Sequence, residues 1–159
     1  MNEIIVKRAA AFSFLLGAIL GIMAIIPFIS GLAYFILILC SSVAVILYMK
    51  KNEKYLGIID TQQGAILGGI IGFITTIGFC ITFLPMKFIL SLIFTKSTDL
   101  GISYFITTAP WLFFILIFII AVILGLINSA TGMGTAYVLN YFEKKPEGFD
   151  APLDIKIED

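Results

Sequence analysis

Long apolar runs without a single charge alternate along this chain with short polar breaks, and four of the runs reach the length that a helix needs to cross a bilayer. They cover about 9–28, 31–49, 64–84 and 111–131, and about 20 residues suffice for roughly 30 Å of hydrocarbon. The pattern predicts an all-α integral membrane protein with four transmembrane helices in 1–143 and a mobile acidic cytoplasmic tail at 144–159. Lys7 and Arg8 precede the first run as they would in a secretory signal. That run is longer than a cleavable apolar core, so it reads as a retained span. Between the first two runs, PFISG leaves room only for an antiparallel hairpin, with Pro27 and Gly31 as the breakers of its turn.

Polar positions add detail at the breaks. Asp60-Thr61-Gln62-Gln63 has the spacing of a capping box that opens the third span. After Pro85, Lys87, Ser91 and Thr95 recur every four residues with Phe88, Ile89, Leu92 and Ile93 opposite them. This spacing predicts a short helix lying in the outer interface between spans three and four, the alternative being a third helix that simply continues. From Trp111 to Phe142 an unbroken helix would measure close to 48 Å. Such a helix either projects from the membrane or bends at TGMGT, residues 131–135. In the tail, Leu153, Ile155 and Ile157 alternate with charged residues, so the end is either mobile or an edge strand offered to a partner.

Small residues form a second pattern inside the runs. The word GAILG occurs at 17–21 and again at 64–68, and small residues recur every four positions on three of the four spans. Helices in lipid gain little from the hydrophobic effect when they associate, so contact depends on the close approach that small side chains allow. The candidate packing residues are Ser13, Gly17 and Gly21 on the first span, Gly64, Gly68, Gly72 and Thr76 on the third, and Gly125 and Ser129 on the fourth. Repetition of GAILG also raises a duplication of two-span halves, but the likeness stops after about five residues.

Composition agrees with the membrane reading: 60% of residues are hydrophobic and 13% charged, with a mean hydropathy of +1.11. A soluble domain of this length is excluded. The net charge of zero hides a segregation, since eight of the ten basic residues flank one side of the spans and only Lys87 and Lys96 the other. By the positive-inside rule both termini face the cytoplasm. Lys-rich, Ile-rich composition suits a microbial source, so the expected location is a microbial cell membrane, the inner one.

Chemistry is scarce. The chain has no His, its spans hold no acid or base, and its two cysteines, Cys40 and Cys80, lie in apolar runs at unequal depth and are expected to be free. General acid-base catalysis, metal ligation and a proton relay lack their usual carriers, and no phosphate-binding loop is present. Neither cofactor nor nucleic acid is expected. The remaining intramembrane polar groups are Ser41 and Ser42, Thr75 and Thr76, and Asn128, which could line a site for a neutral solute. Counted from the outer ends of the runs, Asn128 falls deeper than the others, so these groups are not expected to form one layer. The expected function is a non-enzymatic multipass protein that works by helix association in lipid, as a homo-oligomer or as a subunit of another membrane complex. A small oligomeric permeation unit for a neutral or apolar solute is the alternative.

Overall fold

The computed structural model describes residues 3–52, 60–93 and 110–143, and nearly all of them are helical. The elements are α1 (Glu3–Met23), α2 (Pro27–Phe35), a π-helical turn (Ile36–Cys40), α3 (Ser41–Asn52), α4 (Thr61–Ile93) and α5 (Pro110–Glu143). The backbone stays in the right-handed helical region from α2 through the π turn into α3, so these three make one span. Among the described residues, four helices are long and apolar enough to cross a membrane: Glu3–Met23, Pro27–Lys51, Thr61–Leu90 and Phe114–Phe142. The described residues are thus almost wholly helical and have the build of a multipass membrane protein.

Three boundaries differ from the sequence reading. The first hairpin turns at 24–26, where the Ile25 and Ile26 N–H groups donate to Ile22 and Met23. Pro27 opens the next helix instead of breaking it, because a fixed φ and a missing N–H are no handicap in the first turn. Gly31 lies inside α2 with open space where a Cβ would stand.

Pro85 does not end the third span either. α4 runs through it to Ile93, about 50 Å in all, so 86–93 continue this helix, while residues 94–96 lie outside the described residues. Proline is tolerated within helices in apolar surroundings where neighbouring groups take up the freed backbone. TGMGT is likewise unbroken helix inside α5. At the start of α4, Asp60 accepts the Thr61 N–H on its carboxylate at 2.8 Å and the Gly64 N–H on its carbonyl at 2.9 Å.

α4 is the centre of the bundle, with α5 packed along one face and α1 along another. Two apolar clusters form the core. One joins Ala9, Val45, Ile46, Leu67, Ile71 and Ala136, and the other joins Leu20, Ala24, Ala33, Leu37 and Phe79. In α1, span two and α4 the first cluster lies nearer the end with Glu3, Asn52 and Thr61, and the second nearer the opposite end. The buried polar residues fall between them.

Candidate functional site

Span two and α5 are joined by one asparagine. In an α-helix the Ser42 N–H would bond the Ile38 carbonyl four residues back, but the π turn before Ser41 opens that rung. Asn128 fills it with a carboxamide. Its Oδ1 accepts the Ser42 N–H at 3.1 Å and the Ser41 hydroxyl at 2.8 Å. Its Nδ2 donates to the carbonyls of Ile38 at 3.2 Å, Leu37 at 3.3 Å and, in its own helix, Leu124 at 3.0 Å. The reverse amide orientation would set NH2 against an N–H and oxygen against three carbonyls, so the surroundings dictate the assignment.

Thr131, one turn further along α5, extends the clamp. Its hydroxyl stands 2.5 Å from that of Ser42 and donates to the Asn128 carbonyl at 3.1 Å. Asn128, Ser41 and Ser42 are fully buried, and no buried side-chain nitrogen or oxygen among the described residues lacks a partner.

Of the five candidate polar residues, the structure joins Ser41, Ser42 and Asn128 and leaves two apart. Thr75 and Thr76 are buried, but their hydroxyls return to the Ile71 and Gly72 carbonyls of their own helix, at 2.7 and 2.8 Å. Ser13 does the same, donating to Ala9 at 2.6 Å. Asn128 is not deeper than Ser41, as counting from the expected boundaries implied. Span two starts at Pro27, four residues earlier than expected, and the Ser41 hydroxyl meets the Asn128 carboxamide directly at 2.8 Å. Ser41 and Asn128 therefore lie at one depth in the bundle.

The glycines lie where backbones meet. A Cβ on Gly17 would strike the Thr75 carbonyl oxygen of α4, and one on Gly21 the Thr82 hydroxyl. On the face toward α5, a Cβ on Gly68 would strike the Asn128 carbonyl oxygen, one on Gly64 would stand 2.5 Å from Ala136 Cβ, and one on Gly72 would stand 2.5 Å from Asn128 Cβ. Both copies of GAILG share one burial pattern: both glycines and the leucine buried, the alanine half-buried, the isoleucine exposed. The first copy faces α4 and the second faces α5.

On α5 the buried stripe is Ala121, Gly125, Asn128, Gly132 and Ala136, while Ser129 is half-buried. A strict four-residue step drifts by about 40° per turn from a helix of 3.6 residues per turn. That drift carried the sequence reading past Asn128 to Ser129. Gly78 and Gly132 were also missed. A Cβ on Gly78 would stand 2.6 Å from the Phe14 carbonyl oxygen, and one on Gly132 would stand 2.5 Å from that of Gly64. Thr82 adds a hydrogen bond from α4 to α1, donating to the Ala18 carbonyl at 3.1 Å. Steps of both three and four residues were the available signal for Gly132. The π turn has none, because its ILILC is an unremarkable apolar word.

Cys40 and Cys80 are free thiols. Among the described residues no group of three or more His, Cys, Asp or Glu side chains comes together to hold a metal ion. Chemically, the clamp is a saturated amide bridge: two donor hydrogens and two acceptor sites on Asn128 are all in use, and it ties one span to another. In comparisons with known proteins, no family model, no curated protein and no solved structure matches this chain.

Proposed function

We propose that this protein is a non-enzymatic component of a cell membrane that works by helix association, as a homo-oligomer or as a subunit of a larger membrane complex, through the outward face of α5. The observation that carries this reading is a small-residue notch that the described residues leave unused. Ala130 and Gly134 are exposed one turn apart on α5, and no atom of the described residues lies within 4 Å of where a Gly134 Cβ would stand. Around it, Leu126, Met133, Tyr137 and Tyr141 also face outward. Close approach at small residues is what lets helices associate in lipid.

Saturation of the Asn128 clamp weighs against the permeation alternative. A neutral solute passing Ser41, Ser42 and Asn128 would have to displace hydrogen bonds that the π turn requires. The basic residues, divided eight to two, support an orientation with both termini cytoplasmic and with the part of α4 around Lys87 at the outer boundary.

Two measurements test this reading. Gly134→Leu should convert a detergent-solubilised assembly to the single 17.5 kDa chain with unchanged helicity, because the added side chain enters open space within the monomer. A wild-type protein that already runs as a lone chain, or an assembly indifferent to Gly134→Leu, overturns the association surface. For orientation, an impermeant thiol reagent added to intact cells should label Lys96→Cys and spare Lys145→Cys. The opposite pattern reverses the topology.

A further inference from the structure

A groove of about 320 Å³ runs between α1 and α3, lined by residues of these two helices and by none of α5. Phe12, Leu15 and Ile19 wall it on one side and Ala44 and Tyr48 on the other, and its lining is almost wholly apolar. It is a concavity because the small side chain of Ala44 stands opposite the larger ones of α1. The rings of Phe12 and Tyr48 stand edge to face at one end, with centroids 4.8 Å apart. Whatever fills such a space in a bilayer must be apolar and flexible, since a void forfeits the dispersion contacts of its walls.

Helical spacing says what lies beyond that end. Arg8 precedes Phe12 by four residues and Leu15 by seven, so it continues the groove face of α1 by one turn. Lys51 follows Tyr48 by three and Ala44 by seven, and it continues the groove face of α3 in the same direction, because the two helices run antiparallel. Both side chains are exposed. An apolar channel with cationic groups at its mouth is complementary to one kind of membrane molecule, a lipid with a negative headgroup.

We propose that the groove between α1 and α3 binds an anionic phospholipid, one acyl chain lying along Leu15 and Ile19 and the phosphate meeting Arg8 and Lys51. The site is separate from the outward face of α5 and stands whether or not the protein associates through that face.

The test uses the full chain in nanodiscs of equal phosphatidylglycerol and phosphatidylcholine, followed by transfer to mild detergent and native mass spectrometry. Wild-type protein should retain one phosphatidylglycerol in preference to phosphatidylcholine. Lys51→Gln should lower that preference roughly fivefold, the value of one cation near a lipid surface, and Ala44→Phe, which fills the groove, should abolish retention of both lipids. Lys51→Gln leaves the apolar walls untouched, so it decides the matter even where Ala44→Phe fails to fold. Gly134→Leu should retain the lipid in full, which separates this site from the association face. Equal retention of the two lipids, no retention, or a second protein chain displaced by Ala44→Phe in place of lipid would each overturn the proposal.

Discussion

Gly68→Ala should destabilise the protein by about 2–3 kcal/mol, the upper part of the range for overpacking a close contact, while Gly69→Ala should be neutral or stabilising by up to about 1 kcal/mol. The two residues are neighbours in one helix, so helix propensity favours alanine equally at both and only the surroundings differ. At Gly68 the new methyl would strike the Asn128 carbonyl oxygen and stand 2.9 Å from Gly132 Cα. Both are backbone atoms of α5, so no rotamer change relieves the clash. The two helices must separate, and Asn128 must move with them.

At Gly69 the nearest atom is Ser129 Cβ at 3.6 Å, an ordinary contact. Unfolding of the two variants in one detergent reads the difference, and Gly68→Leu should lie below both. Equal effects at the two sites would mean that α4 and α5 do not meet at this depth. A gain in stability from Gly68→Ala, with loss of function, would instead identify the glycine as a hinge.

Asn128→Leu is expected to cost roughly 3–5 kcal/mol, because each buried polar group left without a partner costs about 1–3 kcal/mol. The Ser42 N–H and the Ile38 carbonyl lose the amide that now joins them, while the Leu37 carbonyl keeps the Ser41 hydroxyl at 3.2 Å. Water is not at hand to replace it at this depth. A plain interhelical hydrogen bond in a membrane averages only about 0.6 kcal/mol, so the size of the loss separates the two cases. The large value follows from an asparagine standing in a broken helical rung.

Deleting Leu39, an exposed residue of the π turn, supplies the complementary measurement. With one residue fewer the turn can close as α-helix while both flanking segments keep their faces, because a π turn accommodates one extra residue. In that background Asn128→Leu should cost much less than in the full-length turn. Equal costs in both backgrounds would refute the link between the π turn and Asn128. Amide exchange at Ser42 offers a local reading, with protection lost in Asn128→Leu and kept in the deletion variant.

Much of the fold was legible because the bilayer imposes simple demands. A span must be apolar, about 20 residues long and internally hydrogen-bonded, and those demands show as four uncharged runs. The small-residue stripes were legible as candidates for the same reason, since Gly17, Gly21, Gly64, Gly68 and Gly72 stand in regular steps. Span ends were less legible. Pro27 and Pro85 were both read as breaks, yet one starts a helix and the other lies inside one. A proline's effect depends on whether its missing N–H falls at a helix end or beside groups that take up the freed carbonyl, and neighbours far away in sequence decide that.

The candidate site divides in the same way. Sequence alone determined that Ser41, Ser42, Thr75, Thr76 and Asn128 are uncharged polar residues within apolar runs, hence that each must find a partner inside the protein. Tertiary structure decided which partners. Thr75 and Thr76 turn back to their own helix, as a short hydroxyl side chain can. Asn128 reaches across to span two because its amide carries both donor and acceptor and so can bridge an N–H and a carbonyl. Local pattern contains the need for a hydrogen bond, whereas its partner depends on the depth and rotation of a helix some 90 residues away. In this chain those are set by backbone contacts at glycine and by one extra residue in ILILC, neither of which changes the hydrophobic pattern.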